Sequence, residues 1–331
     1  MVDKPGEFEL ILDVFAPLAA DAPGSLNLTD DAAIISPNSD QEVVVTADTI
    51  VEGVHFRSED PPETVGVKAL AVNLSDLAAM GATPHGYTLS AAWPSKTSAT
   101  WITDFATGLM AMQKRHHIHL LGGDTVATSG PICVNVTAFG LVEKGSAVRR
   151  SGARPGDVLY VTGTLGDAAL GLRLLTGHAG AHLSSDLQSD LIARYQQPQP
   201  RTMCSALVRK HATSAIDVSD GLVADIAHLA SASHVRIVIR RSAIPLSAAT
   251  RQMIGDDHAQ AVHVWGGGDD YELAFTAPRD WQMDKQLSES SDVPITAIGE
   301  VFLAEGNAGD VILVDENDNA IDIGESGFRH F

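Results

Sequence analysis

The segment Asp60–Ala82 constrains this chain most strongly, because it reads as a helix enclosed on most sides with one carboxylate inside it. Asp60 is placed to cap the N-terminus, Pro61 and Pro62 fall in the first turn, Glu63 completes a capping-box pattern, and Gly81 and Pro84 close the far end. The frame is a helix of about five turns. From Val65 onward nearly every side chain is small or apolar, and no exposed stripe continues past Lys68, so other elements must cover the second half. Asp76 sits in that half. A buried carboxylate needs a cation, hydrogen-bond donors or a metal, since without them burial shifts such a group by roughly 3 to 5 pKa units. Asn73, three residues earlier on the same face, would make Asp76 an ordinary satisfied core residue. A metal would make it a ligand.

A chain of 331 residues fits two domains of ordinary size, and 44% apolar content supports globular folding throughout. The formal charge of −20, from 42 acidic against 22 basic residues with no Lys/Arg cluster, argues against nucleic acid or an anionic membrane as partner. An anionic ligand would have to be held through metal ions. Cys133 and Cys204 stand far apart without metal spacing, which points to a reducing compartment. With no signal-like N-terminus and no run of about 18 apolar residues, the expected setting is cytoplasmic.

In chain order, Glu7–Ala20 has the spacing of an amphipathic helix. Asp30-Asp31 then leads into an expected short strand, Ala32–Ile35, which turns back through Pro37–Asp40 into a second strand, Val43–Ala47. That strand ends in Asp48, so Asp31, Asp48 and Asp76 come from three successive elements. Tyr87–Trp93 reads as a strand, Ala99–Arg115 as a helix, and Ile118–Leu121 as a strand running into Gly122-Gly-Asp-Thr125, where two glycines allow a sharp turn or close backbone approach to a ligand. His117 and His119 share a strand face, but without a third ligand nearby a zinc site is disfavoured. Pro131–Val142 is another strand, and the polar Arg149–Asp157 segment is the expected domain boundary.

The second half opens with strand Val158–Val161, the glycine loop Thr162–Asp167 and a helix to Leu175, an arrangement that suggests an anion site at a helix N-terminus. It lacks the full dinucleotide fingerprint. Asp217 and Asp220 bracket Ser219 at the entry to the helix Leu222–Ser231, where N-capping explains one of them but not both. Strands are expected at Val235–Ile239, Ala261–Trp265, Tyr271–Thr276, Val293–Gly299 and Val311–Val314. Ser-Asp precedes Gly-Gly-Asp by 48 positions in the first half (Asp76, Asp124) and by 49 in the second (Asp220, Asp269), which raises an ancestral repeat as a hypothesis.

No Walker loop, kinase HRD/DFG set, H-E-x-x-H or G-x-S-x-G motif is present. What remains is a set of aspartates, at 31, 48, 76, 124, 217 and 220, each assigned to a strand end or helix entry. Oxygen ligands without imidazole or thiolate favour a hard cation such as Mg²⁺, and metal-assisted phosphoryl transfer is the natural chemistry.

Asn73-Leu-Ser-Asp-Leu-Ala-Ala-Met-Gly-Ala82, Leu121-Gly-Gly-Asp-Thr125, Arg150-Ser-Gly-Ala-Arg-Pro-Gly-Asp157, Val161-Thr-Gly-Thr-Leu-Gly-Asp167 and Ser214-Ala-Ile-Asp-Val-Ser-Asp-Gly-Leu222 together resemble the thiamine-monophosphate kinase family, with consistent order from Gly6-Glu-Phe8 to His330-Phe331. The resemblance implies an α/β (α+β) chain of two domains, of the aminoimidazole-ribonucleotide-synthetase-like type. Residues 1–150 would bind ATP and Mg²⁺ and dimerise through their sheet into a shared barrel. Residues 151–331 would be an α/β domain completing the active site. The implied partners are ATP and thiamine monophosphate, with several Mg²⁺ ions as cofactors and a homodimer as the assembly.

By position, Asp31, Thr46, Asp48, Asp76, Asp124, Asp217 and Asp220 resemble the family's metal-contacting residues, with Asp76, Asp124 and Asp220 central to catalysis. Gly123, Asp124, Arg150 and Ser219 match nucleotide contacts, and His55, Asp269 and Phe328 match positions facing thiamine monophosphate. Three departures stand out. The glycine-bearing turn usual before the first acidic pair is Leu26-Asn-Leu-Thr29, Asp269 replaces Glu, and Phe328 stands where Trp or Tyr is frequent. Other ATP-using enzymes of this fold are the nearest alternative. Selenophosphate synthetase would need a reactive cysteine near the N-terminus, and a silent nucleotide or Mg²⁺ sensor would not need all six aspartates.

Overall fold

The computed structural model describes residues 7–178, 183–255, 258–281, 293–304 and 309–321. Two compact units emerge. The first runs to Leu77 and resumes over Ala82–Ser146, and the second takes Ala78–Gly81 and the chain from Ala147 onward.

In the first unit, α1 (Glu7–Leu10) and α2 (Ala16–Ala19) flank a wider helical turn over Ile11–Phe15, and two long helices follow, α3 (Pro62–Ala79) and α4 (Ala99–His116). The four strands are β1 (Gln41–Val51), β2 (Thr83–Pro94), β3 (His119–Thr128) and β4 (Cys133–Glu143), in the spatial order β1-β4-β2-β3. β4 is antiparallel to both neighbours, while β2 and β3 are parallel, a pairing that requires the crossover α4 supplies. Ser98 starts that crossover by accepting from Trp101 N at 3.1 Å, and His117 ends it in the left-handed conformation with Lys114, Arg115 and His116 in the last turn.

β1 alternates: Val44, Thr46, Asp48 and Ile50 are half-buried to buried, while Val43, Val45, Ala47 and Thr49 are exposed. The helices α3 and α4 meet backbone to backbone. A side chain at Gly66 would strike the Phe105 carbonyl, and one at Gly108 would strike the Glu63 carbonyl, so each helix presents a glycine to the other. Gln113 Nε2 donates to Leu18 O at 2.9 Å and to the buried Tyr87 hydroxyl at 3.1 Å, tying α2 and β2 to α4.

The second unit has β5 (Val158–Thr162), β6 (Ser214–Asp217), β7 (Val235–Arg240), β8 (Leu273–Ala277), β9 (Ile295–Leu303) and β10 (Val311–Val314), in the order β10-β7-β9-β5-β8-β6. Only the β10/β7 pair is parallel among the described ladders. Its helices are α5 (Asp167–Leu175), α6 (Ser185–Gln196), α7 (Ser205–His211), α8 (Leu222–Ser233), α9 (Ala248–Ile254) and α10 (His258–Gly266). Both sheet faces are covered. Leu159, Val161, Ile216 and Ala274 join one apolar cluster, and Ala215, Leu273 and Phe275 join another, which explains why β8 is an unbroken buried run.

Four expectations are corrected. Ala32–Ile35 forms no strand, because it finds no ladder partner beyond Ile34 N to Gly24 O, and Ile34 stays exposed. Gly122–Asp124 is not a turn but the interior of β3. A Cβ on Gly123 would run into the Leu89 carbonyl of the adjacent strand, so close strand approach is what this glycine permits. Ala261–Trp265 lies in α10: the alternating valines imitate a strand, but Ala261, Val264 and Trp265, at i, i+3 and i+4, pack at helical spacing into the core. The spacing echo has no structural counterpart, since the two sheets differ in order and Ser75-Asp76 lies inside a helix while Ser219-Asp220 lies in a loop. Among the described residues, no helix is long and apolar enough to cross a membrane.

Candidate active site

A cavity of about 430 Å³ opens in the first unit against β3. Asp30, Asp31 and Asp124 line it together with Gly122 and Gly123 and the apolar side chains of Ile11, Phe15 and Leu28. The approach to the acidic pair is a left-handed turn with no glycine: Leu26, Asn27 and Leu28 have φ of 51°, 57° and 58°. Such conformations cost non-glycine residues roughly 1 kcal/mol or more each, and local bonds hold them here. Ser25 Oγ donates to Ala22 O at 2.7 Å and accepts from Asn27 N at 3.3 Å, while Thr29 Oγ1 donates to Leu26 O at 2.7 Å. The glycine-free stretch noted in the sequence is therefore a left-handed turn held by its own side chains.

Thr46, Asp48 and Asp76 form a second group. Thr46 Oγ1 donates to Asp76 Oδ2 at 2.5 Å, and Asp48 N donates to Asn73 Oδ1 at 3.1 Å. Asn73 thus anchors the β1 backbone rather than the Asp76 carboxylate, and its Nδ2 returns to Ala69 O at 3.1 Å. Asp76 is half-buried. This group does not reach the cavity carboxylates within one sheet. The ladder row Thr49, Asn135, Ser90, Asp124 spans all four strands, so Asp48, one position before Thr49, and Asp124 lie on its two outer strands, about 14 Å apart by strand spacing and facing opposite sides. His55 accepts from Val51 N through Nδ1 at 3.0 Å, which leaves its ring proton on Nε2.

In the second unit, Asp217, Ser219 and Asp220 lie on the β6–α8 connection, and Asp269 joins them: Asp269 N donates to Ser219 O and Tyr271 N to Val218 O, both at 2.8 Å. The N–H groups of Ser219, Asp220 and Gly221 all donate to Asp225 Oδ2, at 3.0, 3.0 and 3.2 Å. Asp225 does the capping from inside α8. Burial first, and the charge of Asp220 second, push its carboxyl up to about 7. The anion site expected at the start of α5 is taken by a side chain from a distant loop, because Asp270 accepts from Gly166 N at 2.7 Å and Ala168 N at 3.3 Å. Burial pushes Asp270 up to about 8. Arg150 has an exposed side chain, and its carbonyl accepts from Ser233 Oγ at 2.9 Å. Phe328 lies outside the described residues.

Sequence reasoning missed the buried ionic support of these loops. Glu272 accepts from Arg201 Nε at 2.6 Å and Nη2 at 2.5 Å, from Arg194 Nη2 at 2.9 Å and from Thr162 Oγ1 at 2.6 Å. Asp167 accepts from Thr164, Ser247 and Thr250 hydroxyls, each at 2.6 Å. The one available signal was polar residues within otherwise apolar strand and loop sequence.

Among the described residues, no three Asp, Glu, His or Cys side chains gather into a metal-holding group, and the His116–His119 stretch forms none. Mg²⁺ does not require such a cage, since it keeps several waters and takes one or two carboxylates with substrate phosphates. Asp31 and Asp124 on the cavity wall, and Asp76 beside Thr46, offer hard oxygen donors of that kind, so the residues fit the ion.

Two sheets, helical cover and this distribution of carboxylates accompany a match to both halves of one protein class. The family model for AIR synthase related protein, N-terminal domain, matches residues 29–142, and that for the C-terminal domain matches residues 154–312. The thiamine-monophosphate kinase of Caulobacter vibrioides is 38% identical over 306 residues, 91% of this chain and 86% of its own length. The crystal structure of thiamine-monophosphate kinase from Stenotrophomonas maltophilia K279a superposes with a TM-score of 0.78 at 43% identity, covering 86% of this chain and 89% of that one. AaThiL complexed with AMPPCP and TMP gives a TM-score of 0.77 at 30% identity over 98% and 97% of the two chains. The chain belongs to the thiamine-monophosphate kinase family, and with it to the phosphotransferases.

Proposed function

We propose that this protein transfers the γ-phosphate of ATP to thiamine monophosphate by direct in-line displacement, giving thiamine diphosphate and ADP with the help of several Mg²⁺ ions. The observation that carries the reading is the cavity where Asp31 and Asp124 meet the glycine strand of β3, because exposed carboxylates beside accessible backbone suit metal-bridged phosphates better than a bare anion. Family membership and the relative complexed with AMPPCP and TMP support the substrate pair.

The acceptor is a phosphate monoester with a second pKa near 6, so its oxygens are largely ionised at pH 7 and no strong general base is required. Mutual repulsion of the two anionic substrates is the obstacle, and bound Mg²⁺ supplies the neutralising charge. The protein's own part is positioning. Asp31 and Asp124 hold the metal–phosphate end at the cavity, with Gly123 giving close backbone approach, and Thr46 fixes the orientation of Asp76 beside Asp48. Residues 1–150 carry this nucleotide and metal role with Arg150 as a nucleotide contact. Residues 151–331 contribute Asp217, Ser219, Asp220 and Asp269, and His55 of the first 150 residues joins Asp269 as a contact to thiamine monophosphate.

A homodimer is part of the proposal. Val43 and Val45 on β1 and Val126 on β3 are exposed large apolar residues of the first unit's sheet, a surface that a second copy would cover. Cys133 and Cys204 are free thiols, which suits a cytoplasmic setting. The test incubates the purified chain with ATP, Mg²⁺ and thiamine monophosphate and separates the products. Thiamine diphosphate formed one for one with ADP, with thiamine and aminoimidazole precursors inert, is expected. ATP use driven instead by one of those control substrates would contradict the assignment.

A further inference from the structure

The segment Asp269-Asp-Tyr271 holds two non-glycine residues in the left-handed region within three positions, Asp269 at φ 71° and Tyr271 at φ 51°. For a bulky residue such as tyrosine this is a true outlier, and outliers of this kind persist only where surrounding structure over-determines them. Three sets of contacts do so. Asp269 N and Tyr271 N are zipped to Ser219 O and Val218 O at 2.8 Å, and Val218 N returns to Glu272 O at 2.8 Å. Between the two strained residues, the Asp270 side chain is fully buried and seated on Gly166 N and Ala168 N, while its carbonyl accepts from Arg194 Nη2 at 3.2 Å. Finally, the Tyr271 hydroxyl donates to Asp269 Oδ1 at 3.1 Å. A buried anchor and a directed hydroxyl therefore converge on one half-buried carboxylate.

We propose that Asp270 and Tyr271 are positioning residues: Asp270 locks the strained backbone and Tyr271 aims the Asp269 carboxylate at thiamine monophosphate. The proposal rests on the kinase reading, in which Asp269 faces that substrate. Neither residue touches the substrate; both act through Asp269.

The test measures kcat and the KM of each substrate for the full chain and for Tyr271→Phe, Asp270→Asn and Asp269→Asn. Tyr271→Phe removes only a hydroxyl and decides the matter even if Asp270→Asn does not fold. Loss of one hydrogen bond to a charged group is expected to raise the KM for thiamine monophosphate by about tenfold, with the KM for ATP within about twofold. Asp270→Asn should shift the same parameter in the same direction. An unchanged KM for thiamine monophosphate in Tyr271→Phe, alongside a raised one in Asp269→Asn, would overturn the positioning role and leave the kinase reading intact. Equal rises in both KM values with a lowered melting temperature would mark a merely structural role and also overturn it. An unaffected Asp269→Asn, or a wild type that makes no thiamine diphosphate, would remove the reading beneath it.

Discussion

Asp76 is tied to the sheet by a single hydroxyl. Its partner is Thr46 on β1 rather than Asn73 on its own helix, so the carboxylate is oriented from the adjoining strand and is only partly buried. Asp76→Asn and Asp124→Asn are expected to lower kcat by about two orders of magnitude or more with little change in thermal midpoint; near-normal turnover at saturating Mg²⁺ would speak against a metal role. His116 offers a different measurement. Burial, with smaller contributions from Arg115 and His117, lowers its pKa to about 4 from an ordinary value of 6.5. A base whose folded pKa is depressed favours the neutral folded state, so its contribution is intact above about 6.5 and lost as pH falls toward 4. The thermal midpoint of the wild type should therefore drop more steeply over that interval than that of His116→Gln, and parallel slopes would refute this. Asp31 and Asp124 could be found by reading aspartates near strands and glycines. The role of Asp270 could not, because which carboxylate reaches the N-terminus of α5 from a loop about a hundred residues away is a property of tertiary packing.

Glycine fixes the geometry of the elements at two kinds of contact. Gly66 and Gly108 let α3 and α4 approach backbone to backbone, and Gly123 lets β3 lie against Leu89 of β2, while Gly122 faces open space. Gly66→Ala or Gly108→Ala should destabilise by about 1–3 kcal/mol through overpacking, read as a lowered melting temperature by circular dichroism, whereas Gly122→Ala should leave it unchanged. Equal midpoints in all three would show that the helices can part without cost. The long helices were legible because their caps and apolar content are local signals: α3 and α4 fall where Pro62, Gly81 and Ser98 place their ends. Ala32–Ile35 and Ala261–Trp265 were misread because short apolar runs carry no period long enough to separate strand from helix or coil.

For the whole molecule, composition bounded the proposal: a strongly acidic chain with scattered aspartates would need cations to hold phosphates, and two sheets supply the scaffold. The expectation of a dimer came only from family resemblance, since the apolar exposure of Val43, Val45 and Val126 appears only once β1 and β3 are placed in one sheet. Sedimentation of the wild type is expected to give twice the 34.8 kDa chain mass, and Val45→Glu to shift it toward the monomer; a monomeric wild type would contradict the proposed dimer. The central claim is direct phosphoryl transfer from ATP to thiamine monophosphate. Single-turnover reaction with ATP labelled in its γ-phosphate tests it most directly: the label should appear in the terminal phosphate of thiamine diphosphate with none on the protein, and label trapped on the protein or released as inorganic phosphate with the acceptor unchanged would contradict it.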